Sequence, residues 1–104
     1  MPNYERQVEL AVPPQEATNM LLAALGSLPK ASPPRVDGAW VTTNIGVSGM
    51  SWGENVAGFV QPGPGRCMIT VRSKSVFGLV DWGKNKKNVE ATLARLHGPP
   101  PPGR

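Results

Sequence analysis

The side chains most able to bind a charged ligand are basic and lie in the second half of the chain. Residues 61–104 hold eight Lys and Arg against two acidic residues, whereas residues 1–60 hold three against five. The candidate anion-binding residues are Arg72, Lys74, Lys84 and Lys87, with Lys86 beside them. Such a positive patch suits the anionic end of a small ligand, an anionic lipid surface or a nucleic-acid backbone. The structural alternative is a solvated helix face.

Trp52 and Glu54 are the candidate binding residues of the first half. They lie at the end of a Gly-rich loop over positions 46–53 and at the start of a predicted strand. An aromatic ring beside such a loop rims an apolar pocket or merely covers the end of the sheet. Glu54 is expected at the same rim, and its alternative is an exposed acid at a strand end.

Catalytic chemistry has few candidate groups in this sequence. A nucleophilic mechanism needs a base beside Ser or Cys, but Cys67 is predicted to face the core and His97 to lie at a helix end. Paired carboxylates would have to be Glu54 and Asp81, and Asp81 is better explained as the N-cap of a helix. We therefore predict no catalytic residue and no enzymatic activity.

Metal and cofactor sites are not predicted either. One Cys and one His are too few for an internal disulfide or for a cluster of Cys or His ligands. Neither GxGxxG nor the GxxxxGK phosphate loop occurs, so no nucleotide cofactor is expected. The sequence lacks an apolar run of about 18 residues and the N-terminal pattern of a signal peptide. We expect a soluble cytoplasmic protein in a reducing compartment, without a transmembrane segment.

Trp40 and Met68 are predicted to lie on a sheet face that no helix covers. Trp40 projects from the face opposite Val41, which makes it the aromatic residue most expected to be exposed. Together with Met68 it is a candidate homodimer contact. The simpler alternative is a Trp side chain partly covered by its neighbours.

Apolar periodicity divides the chain into strands and helices. The predicted strands are Tyr4–Val12, Arg35–Val36, Ala39–Ile45, Ser51–Val60 and Arg66–Ser75. The predicted helices run from Pro14 to Leu28 and from Asp81 to Leu96. A type I′ hairpin turn is predicted at Asp37-Gly38 and a longer turn at Gln61–Gly65.

The element order β-α-β-β-β-β-α predicts an α+β fold, with two helices on one face of an antiparallel sheet of four to five strands. A chain of 104 residues that is 39% apolar suffices for one core, so we expect residues 1–97 to form a single domain. Residues 98–104 contain four prolines and are expected to form a disordered tail.

Two segments resemble the START/Bet v 1-like (helix-grip) superfamily. One is Ala11–Ala17, a strand end that leads into an amphipathic helix, and the other is the hairpin around Pro62–Gly65. The resemblance implies a curved antiparallel sheet that, with a final helix, encloses a hydrophobic ligand. Separately, Ser73–Ser75 followed by Asp81–Asn85 is similar to a segment of small uncharacterised bacterial domains, which implies a bacterial origin.

These observations predict a binding module for an apolar or amphiphilic anionic ligand. The apolar group would lie between the first helix and the sheet near Trp52. The anionic end would be received by Arg72, Lys74, Lys84 and Lys87. One alternative is a nucleic-acid-binding domain that uses the same basic residues. Another is a protein-interaction or dimerisation module that uses Trp40 and Met68.

Overall fold

The helices and strands follow the predicted order. The computed structural model describes residues 3–46, 53–75 and 83–96. The strands are β1 (Asn3–Leu10), β2 (Arg35–Asp37), β3 (Trp40–Ile45), β4 (Glu54–Gly63) and β5 (Arg66–Ser75), and the helices are α1 (Pro14–Gly26) and α2 (Lys84–Leu96). The α+β class and the order β-α-β-β-β-β-α are confirmed. Trp52, Asp81, His97 and the predicted tail lie outside the described residues.

The five strands form one antiparallel sheet in the order β1-β5-β4-β3-β2. The ten-residue strands β4 and β5 form its central hairpin, which pairs Glu54 with Ser75 at one end and Gly63 with Arg66 at the other. The first strand in sequence, β1, pairs with β5 and lies at one edge. The short strand β2 lies at the opposite edge.

Both helices pack on one face of the sheet, called here the inner face. α1 contacts mainly β3 and β4, whereas α2 contacts β5 and β1, and the two helices contact each other. Alternate strand residues point to this face. The buried apolar strand residues of the inner face include Val41, Ile45, Val56, Val60, Cys67, Ile69 and Val71. The opposite face, called here the outer face, is covered by neither α1 nor α2.

α1 lies against β4 at a glycine. A Cβ atom built on Gly58 would lie only 2.5 Å from Cδ2 of Leu21. Leu21 is fully buried, and Ala17 and Leu25 beside it on α1 are equally inaccessible. α1 and β4 are therefore in direct contact at Gly58, and the apolar ligand position near Trp52 stays a prediction.

The β4–β5 turn is shorter than predicted. β4 continues through Pro62 to Gly63, where the sequence predicted a turn. Proline is tolerated because β3 pairs with β4 no further than Phe59, so no strand pairs with Pro62 on that side. The remaining turn is Pro64-Gly65, and the φ of 68° at Gly65 fits the second central position of a type II turn.

The β2–β3 turn and the end of α1 also differ by one or two residues from the predictions. The turn contains Gly38 and Ala39, and only Gly38 has a positive φ (62°), which fits type II′ instead of the predicted type I′. α1 ends at Gly26, although Leu28 is still buried against the core. Neither α1 nor α2 is long and apolar enough to cross a bilayer.

Candidate functional site

Glu54, which was expected at a rim or exposed strand end, is fully buried with 0% of its surface exposed. It points to the inner face because it shares the alternation of Val56 and Val60 along β4. The Nδ2 atom of Asn88, on α2, donates a hydrogen bond of 2.9 Å to Glu54 Oε1. Glu54 is therefore buried because α2 packs over it. The alternation along β4 does not predict this, because it depends on tertiary packing.

Glu54 belongs to a buried polar cluster between α2 and the sheet, made of Glu54, Ser73, Ser75, Asn85 and Asn88. Each of the five is 5% exposed or less. Asn88 Nδ2 also donates to Ser73 Oγ at 3.1 Å. Ser73 Oγ donates to Asn85 Oδ1 at 2.8 Å, and Asn85 Nδ2 donates to Ser75 Oγ at 2.9 Å. The cluster is one continuous hydrogen-bond network.

The cluster forms because two inward-facing patterns become polar at the same end of the fold. On β5 the inward positions 67, 69 and 71 are apolar, and the next two are Ser73 and Ser75. On α2 the inward face begins with Asn85 and Asn88 and continues with Val89, Thr92, Leu93 and Leu96, of which only Thr92 is polar. The periods of 2 and 3.6 residues continue through these polar residues. Because the elements were predicted from apolar positions alone, four of the five cluster residues were not predicted. These are Ser73, Ser75, Asn85 and Asn88.

Hydrogen bonds satisfy the cluster but do not make it a strong source of stability. Within the described part of the chain, every buried side-chain nitrogen and oxygen has a hydrogen-bond partner. Removing a carboxylate and two amides from water costs free energy, which their mutual hydrogen bonds offset. Apolar side chains of similar volume often stabilise such an interface as well or better.

The four predicted basic residues are divided between the two sides of the sheet. Arg72 and Lys74 are exposed and lie on the outer face, because they alternate with the buried positions of β5. Lys84 and Lys87 lie on α2, which packs on the inner face, and neither is among its buried residues. The two pairs therefore lie on opposite faces of the sheet, and their role in binding a ligand stays a prediction.

Trp40 packs with Phe59 and Arg72 on the outer face. Trp40 and Phe59 are cross-strand partners, with ring centroids 4.9 Å apart and ring planes inclined by 51°. The guanidinium carbon of Arg72 lies 4.7 Å from the Trp40 ring centroid, a cation–π distance. Trp40 is consequently half-buried, which matches the simpler of the two alternatives for it. Met68 is half-buried on the same face, and the dimer contact at these two residues stays a prediction.

An ion pair that the sequence analysis missed joins the edge strand to α2. Arg6 Nη1 lies 2.8 Å from Glu90 Oε1, and the hydroxyl of Tyr4 donates to Glu90 Oε2 at 3.2 Å. The hydrogen bond from Arg6 lowers the pKa of Glu90, and the same bond raises the pKa of Arg6. These residues are 84 and 86 positions apart in sequence, so only the tertiary fold reveals the contact.

Similarity to known proteins is seen in structure and not in sequence. No protein-family model and no curated protein matches the chain. TTHA0849 from Thermus thermophilus is similar with 13% identity and a TM-score of 0.49, over 91% of this chain and 94% of that one. Ara h 8.0201 has 10% identity and a TM-score of 0.46, over 94% and 99% of the two chains. The Zhui aromatase/cyclase from Streptomyces sp. R1128 has 12% identity and a TM-score of 0.43, over 92% and 86%.

The last two structures have START/Bet v 1-like helix-grip folds, the superfamily that the sequence resembles. Their identities and TM-scores are too low to transfer a ligand or an activity to this chain. A function has to be argued from its own residues.

Proposed function

We propose that the chain is a non-catalytic binding module for a small amphiphilic molecule whose polar end is held by the buried polar cluster. The observation that carries the proposal is the burial of these five hydrogen-bonding side chains between α2 and the sheet, a place where apolar residues of similar volume are often as stabilising. Val56, Val71 and Val89 adjoin the cluster along β4, β5 and α2 and are fully buried. A molecule with one polar group and an apolar body would be chemically complementary to the cluster and to these valines.

The carboxylate of Glu54 determines which polar group suits the cluster. Glu54 Oε1 accepts a hydrogen bond from Asn88, and an anionic ligand end would bring only further acceptors to the cluster. The sequence suggested an anionic ligand, but Arg72 and Lys74 lie on the other side of the sheet. We therefore expect a ligand end that donates hydrogen bonds, such as a hydroxyl, amide or amine group.

Binding is favoured over catalysis by the chemistry of the cluster. Glu54 is its one ionisable side chain, and the other four are amides and hydroxyls, which hold polar groups and transfer no proton near neutral pH. Cys67 lies elsewhere in the core and donates its thiol hydrogen to the Val12 carbonyl.

Titration of ¹⁵N-labelled protein with 1-octanol and with octanoate tests this proposal. We expect 1-octanol to shift the side-chain amide signals of Asn85 and Asn88 and the backbone amides of Glu54 and Ser73. Octanoate should bind more weakly because its carboxylate faces that of Glu54. Glu54→Gln should weaken 1-octanol binding about tenfold, since hydrogen bonds to a charged acceptor contribute about 1.5–3 kcal/mol.

Glu16→Gln is the matched control because it removes a carboxylate from the exposed first turn of α1. An equal loss of affinity in both variants, or the absence of shifts at the cluster with either compound, would contradict the proposal. The same titration of Trp52→Ala tests the prediction that Trp52 lies at the rim of the pocket. We expect this variant to bind 1-octanol more weakly.

A further inference from the structure

We propose that the outer face binds single-stranded nucleic acid, with a base stacked on Arg72 above Trp40 and phosphates on Lys74 and Arg35. This surface lies across the sheet from the buried polar cluster, so it is independent of the binding function proposed above. Its central feature is a guanidinium group that an aromatic ring holds in place.

Arg72 is positioned by Trp40 and not by a carboxylate. Its guanidinium carbon lies 4.7 Å from the centre of the Trp40 ring, and Phe59 supports that ring at 4.9 Å. Glu5 is the cross-strand partner of Arg72, yet the two form neither of the ion pairs seen among the described residues. Arg72 is also exposed, so its N–H donors and outward surface are open to solvent.

A guanidinium group fixed over an aromatic ring is a platform for another planar group. Unstacked bases in single-stranded RNA stack on Arg guanidinium planes as well as on aromatic side chains. The N–H donors at the edge of the group also pair with phosphate oxygens. One residue can thus contact both the base and the backbone of a nucleotide.

Two further basic residues extend the positive surface. Lys74 lies on the same side of β5 two residues from Arg72, about 7 Å away between Cα atoms. Arg35 lies in the same cross-strand row as Arg72, connected by Thr42 and Ala57 in register. Three strand spacings place it about 14 Å from Arg72. Neither Lys74 nor Arg35 belongs to the two ion pairs of the described chain, so both are available to phosphates.

A protein partner fits this face less well than a nucleic acid does. Protein interfaces have an apolar buried centre, but Val36 is the single exposed large hydrophobic residue in the described part of the chain. Its pairing with the buried Val41 places Val36 on the inner side of the sheet. Nucleic-acid interfaces are polar and positively charged. The described strands carry four basic and three acidic residues on the outer face, which are Arg35, Arg66, Arg72 and Lys74 against Glu5, Glu9 and Asp37.

Fluorescence anisotropy with a dye-labelled oligouridylate or oligothymidylate of about 12 nucleotides tests the proposal. Arg72→Ala should weaken binding at least about fivefold, because the loss of one stacked base costs about 1–3 kcal/mol. Arg72→Lys keeps the charge but loses the planar group, so it should recover less than half of that loss. Glu5→Gln should strengthen binding by removing an acid next to Arg72. With three phosphate contacts, log K should fall with log salt with a slope of about −2.

Lys87→Ala is the matched control, because it removes an exposed positive charge on the α2 side of the sheet. Wild-type affinity in Arg72→Lys would show that only the positive charge matters. A loss of affinity in Lys87→Ala equal to that in Arg72→Ala would show the same, and either result would overturn the proposal. The absence of binding at low salt, or competition by heparin as strong as that by the oligonucleotide, would overturn it too. Self-association that Arg72→Ala abolishes would assign this face to a second copy of the chain. The Trp40 indole signal of each variant reports whether the face is still folded.

Discussion

Asn88 is the side chain on which the buried polar cluster depends most. Its single Nδ2 atom donates to both Glu54 Oε1 and Ser73 Oγ, at 2.9 and 3.1 Å. Its backbone carbonyl accepts a further hydrogen bond of 2.8 Å from Thr92 Oγ1. Asn88 thus connects the carboxylate of β4, a hydroxyl of β5 and the next turn of α2.

Asn88→Ala should destabilise the protein by about 1–3 kcal/mol, because it leaves the buried Glu54 carboxylate and the Ser73 hydroxyl short of a donor. Urea unfolding measures this difference in free energy. Asn44→Ala is the matched control, because it removes an exposed amide that accepts a hydrogen bond from Asn55 Nδ2 at the surface, and it should change stability by no more than about 0.5 kcal/mol. Equal effects of the two substitutions would show that the cluster network does not contribute as described.

Glu90 should make a small, pH-dependent contribution to stability. Arg6 lowers the pKa of the folded-state carboxyl group below its ordinary value of 4.5. The stabilisation is therefore complete above that value and is lost as the pH falls through the folded-state pKa. A carbon-detected NMR titration should show the Glu90 pKa returning towards its ordinary value in Arg6→Ala but not in Arg66→Ala, which breaks the separate pair with Glu9. A low Glu90 pKa that survives Arg6→Ala would refute this cause.

The close packing of α1 on β4 depends on Gly58. Gly58→Ala should destabilise the fold by about 1–3 kcal/mol, because the new methyl group would overlap the Leu21 methyl carbons at 2.5 and 2.8 Å. Gly26→Ala is the control, since its Cβ would lie at an ordinary 3.4 Å from Pro34 Cδ. Thermal unfolding of both variants, of Leu21→Ala, and of Gly58→Ala combined with Leu21→Ala measures the effect. If the double substitution costs as much as the two single changes added, the contact between the two residues is not the cause.

The elements were predictable from local patterns, and the site largely was not. The alternation along β5 and the apolar period of α1 each indicate which side of the element is buried. The strands, the helices and the α+β class could therefore be predicted. The burial of Glu54 depends on where α2 crosses the end of β4. The contact of Arg72 with Trp40 depends on the register of three strands. Both depend on tertiary packing, which no local period encodes, whereas Asn85 and Asn88 lay on the α2 period and could have been found.

The molecule as a whole presents two different surfaces to possible ligands. On the inner side, the helices close an apolar core that becomes polar at the end where β4 begins and β5 ends. On the outer side, Arg72 lies over an aromatic pair, Trp40 and Phe59, that neither helix covers. The sheet separates these surfaces, so substitutions on one should leave ligand binding at the other unchanged. This independence allows each proposal to fail without the other.

The most direct test of the proposed function is an intermolecular NOE experiment on the isotope-labelled protein with 1-octanol. The account predicts contacts between the hydroxyl-bearing methylene of 1-octanol and the side-chain amide protons of Asn88 or Asn85. It also predicts contacts between the octanol methyl group and the methyl groups of Val56, Val71 or Val89. NOEs only to residues of the outer face, or none to the cluster under conditions where 1-octanol binds, would contradict it.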